Sequence, residues 1–217
     1  MVRVLRGVAA AVVAAALLAG CGSSSHRVAR VLRATGIANI TFGHSPSFVA
    51  AGVARFFGRP SSASATSDIG YFRIIGCGLD HEIIWAGLAA PPSNGNSVGL
   101  TTYFKHSQFV GYSYGPPYGG PRAPAVRDGL MLATTDGLGL GDALARAQHL
   151  YGRAFVQFAQ AEGTPPDPRL ERLPAWKVRT SGGLSGALDS PNGPNDAPSR
   201  RTIGSITAGA VLNTPCR

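Results

Sequence analysis

The sequence predicts an α+β protein built from two tandem repeats, each a helix packed on an antiparallel sheet of about four strands. Two stretches about a hundred residues apart share the same order of glycines and apolar residues. Each stretch runs into a helical pattern, and each helix is followed by runs rich in β-branched and aromatic residues. Together these observations favour duplication of one helix-plus-sheet unit.

The duplicated stretches match over short, ordered motifs. Each begins with an apolar pair and a threonine, continues through a Gly-apolar step and an apolar-Gly pair, and ends after its helix in aromatic-Gly-Arg. Gly43 and Gly58, which bracket the first helix, are 15 positions apart, and Gly141 and Gly152 are 11 apart. The difference is close to one turn of about 3.6 residues, so the first helix is predicted to be one turn longer.

Cap residues mark the predicted helix ends. Ser45 fits an N-cap with Pro46 at the first helical position, and Asp142 fits the N-cap of the second helix. Gly58 and Gly152 suit the left-handed conformation that often follows a helix C-terminus. The sequence therefore predicts helices that begin after Ser45 and after Asp142.

Three alternate glycines, Gly137, Gly139 and Gly141, precede the second predicted helix and raise the question of a phosphate-binding loop. Their spacing is GxGxG, which lacks the third glycine of the GxGxxG dinucleotide fingerprint. The first stretch carries a corresponding segment without the middle glycine. We therefore interpret these glycines as the entry to the second repeat, where an extended segment turns into a helix.

Eight runs are predicted to be strands, four after each helix. The last two runs of the first repeat are joined by a tight turn at Lys105 and His106, which predicts a hairpin. Segments rich in glycine, proline and asparagine between the runs predict loops. The runs span residues 69–76, 81–88, 98–105, 107–114, 154–159, 175–180, 183–189 and 201–209.

The N-terminus has the layout of a secretory signal. Arg3 and Arg6 precede an uncharged run over residues 7–18, and small residues follow that run. The run is shorter than the ~20 residues needed to cross a bilayer, so it predicts export rather than a membrane span.

Four residues at the end of this run, Leu18, Ala19, Gly20 and Cys21, resemble the lipobox of bacterial lipoproteins. The resemblance implies cleavage after Gly20 and transfer of a diacylglycerol to the thiol of Cys21. Acyl chains such as palmitate hold a protein on a membrane without a spanning helix. We therefore expect a lipid-anchored protein on the extracytoplasmic face of the cell membrane. The alternative is a secreted protein whose cysteine falls there by accident.

The chain divides into five predicted segments. A signal peptide and a lipidated, flexible tether precede two helix-plus-sheet repeats, and a linker rich in proline and glycine separates the repeats. The signal peptide, tether, first repeat, linker and second repeat occupy residues 1–20, 21–30, 31–114, 115–129 and 130–217.

The chain is basic, with 20 Lys and Arg residues against 11 Asp and Glu residues and a net charge of +9. Only Lys105 and Lys177 are lysines, and the abundance of arginine, alanine, glycine and proline indicates a GC-rich genome such as an actinobacterial one. The arginines are scattered, and an exported protein rarely meets nucleic acid. We therefore expect a solvated, mildly cationic surface and no nucleic-acid partner.

Two cysteines, Cys77 and Cys216, remain once Cys21 is assigned to lipid. In an oxidising compartment two such cysteines are more often paired than free, which predicts a disulfide between them. The alternatives are a buried thiol at Cys77 with a loose C-terminal tail, or a metal site. No CxxC, HxxxH or HExxH spacing occurs in the sequence, so no metal is expected.

The sequence carries no familiar catalytic signature. The run GGLSGAL around Ser185 is not GxSxG and falls in a predicted strand. Asp80, His81 and Glu82 are adjacent, but neighbouring residues of a strand point to opposite faces. A polar turn that enters a strand is therefore the favoured interpretation of these three residues, and no cofactor is expected.

Three tyrosines near the junction of the predicted repeats form a candidate binding surface. Tyr112, Tyr114 and Tyr118 cluster there with Pro116 and Pro117, and aromatic residues are enriched at binding sites. An equally weighted alternative is that these rings pack the two repeats together.

The two stretches resemble tandem modules of the β-lactamase inhibitor protein-like fold. The resemblance is carried by the motif GI…FG in the first stretch and by the glycine-centred motif ending in YG in the second. Related small lipoproteins of bacterial envelopes carry similar signatures. The resemblance implies that the protein binds other proteins through the exposed face of a sheet. The longer first helix and the proline-rich insertions depart from that pattern.

The leading hypothesis is a membrane-anchored envelope lipoprotein that acts as a non-enzymatic protein-interaction or binding module, with an envelope protein as partner. The alternative is an envelope hydrolase or enzyme inhibitor whose site the sequence does not show, and a third hypothesis is small-ligand binding in the groove between the repeats. An interaction module predicts polar, shallow sheet faces, whereas an enzyme predicts a deep pocket holding a histidine or carboxylate with a perturbed pKa.

Overall fold

The computed structural model describes residues 31–65, 79–89, 98–115, 132–161, 172–179, 183–189 and 197–209. The helices in these ranges are α1 (Pro46–Phe57) and α2 (Leu144–Tyr151), with short 3₁₀ helices at Gly152–Ala154 and Pro198–Arg200. The strands are β1 (Val31–Arg33), β2 (Gly36–Ile37), β3 (Ile40–Thr41), β4 (Ser62–Ala65), β5 (His81–Ala89), β6 (Val98–Lys105), β7 (Gln108–Gly115), β8 (Ala133–Thr134), β9 (Phe155–Ala161), β10 (Arg172–Val178), β11 (Leu184–Asp189), β12 (Thr202–Ile203) and β13 (Ile206–Gly209).

Several predicted features lie outside the described residues and stay predictions, as do the segment boundaries. These features are the signal peptide with Leu18, Ala19 and Gly20, the lipidated Cys21, the disulfide between Cys77 and Cys216, Tyr118, and the strand at 69–76.

Helix α1 forms where the sequence predicts it. Ser45 is the N-cap, its Oγ accepting a 3.4 Å hydrogen bond from the amide three residues on, and Pro46 occupies the first turn. Val49 and Val53, one turn apart, are both fully buried. Gly58 follows the helix with φ of 77°. The predicted N-cap and the glycine after the helix are both confirmed.

Helix α2 has 8 residues against 12 in α1, which confirms the predicted difference of one turn. Its N-cap is Ala143, so the prediction of Asp142 as the cap is wrong. The Asp142 carboxylate instead accepts a 2.8 Å hydrogen bond from the Gly139 amide and forms an ion pair with Arg146 at 3.3 Å. Because that carboxylate is engaged by the preceding turn, the helix begins without a side-chain cap.

Strands β1, β2, β3 and β8 form a small sheet in the order β3-β2-β1-β8. The close approach of β2 to β3 needs Gly36, since a Cβ there would overlap the carbonyl oxygen of Ile40. β1 and β8 run parallel, with Leu32 opposite Thr134. The two duplicated stretches therefore begin side by side in one sheet.

The other nine strands form a large antiparallel sheet. Eight of them follow the order β4-β5-β6-β7-β13-β11-β10-β9, and β12 pairs with β11 beside this path. The last strands of the two halves, β7 and β13, pair at the centre, with Ser113 opposite Thr207. The strands of both halves thus share one continuous sheet.

The predicted fold class, an α+β protein of two repeats each with a helix on its own sheet, is wrong. The protein is mostly β, with α1 and α2 as the α-helices of the described residues and with strands of both halves shared between two sheets. Pairing of β7 with β13 removes the edges that would separate two four-stranded sheets and satisfies their N–H and C=O groups. Pairing of β1 with β8 draws the starts of both halves into a sheet that the prediction did not contain.

Most strands lie close to their predicted bounds. β6 matches its prediction completely, and β5, β7, β9 and β11 differ from theirs by one or two residues at an end. The strand predicted over 201–209 is divided into β12 and β13. The amides of Gly204 and Ser205 both donate to the carbonyl oxygen of Ala187, at 3.0 and 3.3 Å, and this irregularity interrupts the ladder.

One hydrophobic core joins both helices and both sheets. It contains Val49 of α1, Leu144 of α2, Leu32 of the small sheet, and Tyr114 and Ile206 of the large sheet. The helices and the small sheet therefore pack against the same face of the large sheet. Neither described helix is long and apolar enough to span a membrane.

Candidate functional site

Tyr112 and Tyr114, two of the tyrosines of the predicted binding surface, are fully buried on β7. The hydroxyl of Tyr112 donates a 2.8 Å hydrogen bond to the carbonyl oxygen of Arg33, and the hydroxyl of Tyr114 accepts one of 3.2 Å from the amide of Leu132. Burial raises the pKa of both phenols. The two rings therefore pack the large sheet against β1 and the start of the second half, and they form no exposed surface.

The glycine turn before α2 uses its amides within the protein. The amide of Gly137 donates to a main-chain carbonyl at 2.9 Å, that of Gly139 to the Asp142 carboxylate at 2.8 Å, and that of Gly141 to the carbonyl oxygen of Ile203 at 2.8 Å. A phosphate loop needs free amides, whereas these three are paired and one faces a carboxylate. The turn therefore anchors the entry to α2.

Asp80, His81 and Glu82 do not converge, in agreement with the sequence interpretation. A carboxylate oxygen of Asp80 accepts a hydrogen bond from the amide of His106 and supports the hairpin between β6 and β7. The His81 ring lies 5.6 Å from the buried ring of Phe104, on the core face of β5. Glu82 lies on the opposite face, where burial raises its pKa.

The face of the large sheet opposite the helices carries a row of hydroxyl side chains. Thr101, Ser113, Thr207 and Ser185 lie opposite one another on β6, β7, β13 and β11, and Lys177 of β10 continues the row. Their neighbours along each strand point into the core, so alternation places these residues on the other face. We call these five residues the outer sheet face.

The outer sheet face is polar and partly exposed. Thr101, Ser113 and Thr207 are partly exposed, and Lys177 is exposed. The hydroxyl of Thr207 donates a 2.9 Å hydrogen bond to the carbonyl oxygen of Ser185, a buried residue of a regular strand as predicted. Within the described ranges, no hydrogen bond engages the hydroxyls of Thr101 and Ser113.

A cleft of about 230 Å³ lies where β1, the turn after β8, the end of α2, and strands β10 and β11 meet. Buried aliphatic side chains form its interior, and exposed polar side chains form its mouth. We call it the β1–α2 cleft. It is lined by Leu32, Arg33, Ala34, Thr135, Asp136, Tyr151, Val178 and Leu184.

A chain of hydrogen bonds runs along one wall of the β1–α2 cleft. The amide of Leu138 donates to Thr134 Oγ1 at 3.0 Å, and Thr134 Oγ1 lies 2.9 Å from the hydroxyl of Tyr151. Burial raises the pKa of Tyr151, the hydrogen bond with Thr134 lowers it, and the charge of Asp136 and a hydrogen bond to it raise it. Asp136 is therefore engaged by Tyr151. Arg33 forms no salt bridge with any described residue.

The sequence predicted an exposed sheet face in general, but it did not identify the residues of either feature as binding residues. Thr101, Ser113 and Thr207 occupy polar alternate positions of predicted strands, and this signal could have placed each of them on a solvent face. Their meeting depends on the pairing of β7 with β13, which the sequence pattern does not show. Arg33 is the last residue of a short strand, and the sequence around it carries no signal of a cleft.

Among the described residues, no group of three or more His, Cys, Asp or Glu side chains could hold a metal ion. No family model matches the chain, and the comparisons with curated proteins and with solved structures find no match either.

Proposed function

We propose that the protein is a non-enzymatic interaction module of the bacterial cell envelope, anchored to the membrane by lipid on Cys21 and binding a partner protein on the outer sheet face. The observation that carries this proposal is the row of hydroxyl side chains across the central strands of the large sheet. A polar, shallow sheet face is the feature expected of an interaction module rather than of an enzyme.

The outer sheet face suits a protein partner for physical reasons. The hydroxyls of Thr101 and Ser113 can each donate and accept a hydrogen bond, and such short side chains lose little rotamer freedom on binding. Ile84, partly exposed, lies opposite Thr101 and adds apolar area. Lys177 and Glu82 place charges of both signs on the same face, which favours one orientation of the partner.

Site-specific photocrosslinking in the native membrane tests the binding surface. A photoreactive amino acid placed at Ser113 or at Thr207 is expected to give a discrete adduct with an envelope protein. The control position is Gln148, an exposed residue of α2 on the other side of the molecule. Equal adducts from Gln148, or no adduct from Ser113 and Thr207, would overturn the assignment of the surface.

Lipid anchoring is tested separately by Cys21→Ala. The variant is expected to lose its acyl chains and to move from the membrane fraction to the soluble fraction, because no acyl chain then enters the bilayer. A variant that stays in the membrane fraction to the same extent as the unaltered protein would contradict the anchoring proposal and leave the binding surface to be judged by crosslinking.

A further inference from the structure

We propose that the exposed side of α1 lies against the membrane that carries the lipid anchor, with Phe48 at the lipid headgroups and Arg55 facing anionic lipid. This inference rests on the proposed lipid at Cys21 and adds a second contact with the same membrane. It also orients the proposed binding surface. Helix α1 packs on the core face of the large sheet, so the outer sheet face would point away from the membrane toward envelope proteins.

Helix α1 presents an apolar and basic side to solvent. Val49 and Val53 are fully buried on one side of the helix. Phe48, Ala51 and Arg55 lie on the other side at positions i, i+3 and i+7, and all three are exposed. We call these three residues the α1 surface. Among the described residues, Phe48 is the one exposed large hydrophobic side chain, with 52% of its area accessible. Contact with lipid removes that apolar area from water.

The exposed ring of Phe48 is supported by the fold. The imidazole of His44 stacks on it, with ring centroids 4.1 Å apart and planes 18° from parallel. The carbonyl oxygen of His44 accepts a 2.8 Å hydrogen bond from the amide of Phe109, which ties this segment to β7. The stack limits the rotation of the exposed ring and lowers the entropy lost at the headgroup layer, where aromatic rings are favoured.

The charge of this part of the chain fits an anionic membrane. Residues 21–67 contain five arginines and no Asp or Glu, although the whole chain has 11 acidic residues. Arg55 lies in the last turn of α1, Arg59 follows the helix, and both are exposed. Neither has a salt-bridge partner in the described part of the chain. Both guanidinium groups are therefore available to anionic headgroups.

The chain from the anchor enters the fold beside α1. Strand β1 begins at Val31, whose carbonyl oxygen accepts a 2.7 Å hydrogen bond from the amide of Ala38. Two residues later, Ile40 packs against α1 at Gly52, where an added Cβ would lie 2.5 Å from its Cδ1. Cys21 is ten positions before Val31, so the chain between them spans at most about 35 Å. The α1 surface therefore lies within reach of the bilayer that holds the lipid.

A small contact is sufficient because the anchor already holds the protein at the bilayer. Attachment through lipid makes the second contact intramolecular and gives it a high effective concentration. One aromatic ring and two arginines can then orient the fold, although they would hold a free protein only weakly. We therefore expect the contact to require anionic lipid and to weaken at high salt.

Quenching of tryptophan fluorescence by brominated lipid tests the contact. The chain has two tryptophans, Trp85 and Trp176, and both are fully buried, so an indole introduced at the surface reports lipid contact. The acylated protein is reconstituted into vesicles of phosphatidylcholine and phosphatidylglycerol, with bromine on the acyl chains near the headgroups. Phe48→Trp is expected to be quenched at least about threefold more strongly than Thr101→Trp, the control on the outer sheet face.

Charge variants of the Phe48→Trp protein form the second arm of the test. Arg55→Gln is expected to lower the quenching at least about twofold, because the α1 surface loses its attraction to phosphatidylglycerol. Arg179→Gln removes the same charge from an exposed residue after β10 and is expected to leave the quenching unchanged. Vesicles without phosphatidylglycerol are expected to reproduce the effect of Arg55→Gln.

The intact mass of the purified protein separates the two proposals. An unacylated chain would contradict the anchor on Cys21 and, with it, this inference. For an acylated chain, this inference alone is overturned if the indole at position 48 is quenched no more than the indole at position 101. It is also overturned if Arg55→Gln and Arg179→Gln lower the quenching equally, or if the quenching at position 48 is the same without phosphatidylglycerol.

Discussion

The hydroxyl of Tyr112, at the centre of the large sheet, donates a 2.8 Å hydrogen bond to the main-chain carbonyl oxygen of Arg33, 79 positions away in the sequence. Tyr112 lies on β7 beside Ser113 of the outer sheet face. Arg33 ends β1 and lines the β1–α2 cleft. One buried hydrogen bond therefore joins the centre of the large sheet to the end of β1.

Tyr112→Phe is expected to lower the free energy of unfolding by about 1–3 kcal/mol, because the carbonyl oxygen of Arg33 loses its buried hydrogen-bond donor. Urea denaturation measures the change. Arg33→Gln is a matched control, since it keeps the same carbonyl and alters only an exposed side chain; its effect is expected to stay within about 0.5 kcal/mol. Equal stabilities of the two variants would contradict a structural role for the bond.

Alkaline pH is expected to destabilise the protein. Burial raises the pKa of Tyr112, Tyr114 and Tyr151 above the ordinary value of 10.0. Above that pH the unfolded chain releases phenolic protons that the folded protein retains, so the free energy of unfolding is fully present below about pH 10 and falls as the pH rises. Urea denaturation at about pH 8 and about pH 11 measures the fall. A free energy that stays constant over this range would contradict burial of the three phenols.

Gly186→Ala is expected to lower the free energy of unfolding by about 3 kcal/mol or more, because the backbone must move to make room. A Cβ at Gly186 would overlap the carbonyl oxygen of Ser205 and lie 2.9 Å from Nε1 of Trp176. Gly139→Ala is the control, since the nearest atoms there lie 3.9 Å away, and it is expected to be nearly neutral. Thermal unfolding compares the stabilities of the Gly186→Ala and Gly139→Ala variants. Equal losses would show that Gly186 of β11 does not pack against Ser205 as described.

The pairing of β7 with β13 predicts a specific disulfide. Ser113 and Thr207 are direct cross-strand partners, so the double variant Ser113→Cys and Thr207→Cys is expected to oxidise to a bridge between the two positions. Thr101→Cys with Thr207→Cys is the control, since a whole strand separates them and their Cα atoms lie beyond the ~7 Å limit. Mass spectrometry of proteolytic fragments identifies the linked peptides. A bridge in the control and none in the test pair would refute the register.

Local chemistry made the helices and most strands predictable. Ser45 and Pro46 act within one turn of α1, and alternation of apolar residues along β6 acts within eight residues, so both patterns are visible in a short window. The Asp142 cap was predicted wrongly because its carboxylate had a competing donor, the Gly139 amide, that a cap rule does not consider. Capping propensity alone does not resolve such a competition.

Long-range pairing set the limits of prediction. Tyr112 is buried because the helices and the small sheet cover its face of β7, and no local pattern indicates this packing or the hydrogen bond of its hydroxyl to the carbonyl oxygen of Arg33. The apolar and polar residues of β7 and β13 alternate in the same way whether the two strands pair or belong to separate sheets. The sequence pattern therefore does not distinguish two sheets from one shared sheet. Binding at an exposed sheet face was predicted in general, but distant contacts bring the residues of that face together, so the sequence did not identify them.

The central claim, that the outer sheet face receives a partner protein, is tested most directly by crosslinking from Thr207 in a chain that also carries Ser113→Arg. The long charged side chain blocks the middle of the face, so the yield of the Thr207 adduct is expected to fall at least about tenfold, while Gln148→Arg leaves it unchanged. Urea denaturation first checks that the two variants have the same free energy of unfolding, so that a difference in adduct yield does not come from unfolding. An adduct that persists at full yield in the Ser113→Arg variant would contradict the claim.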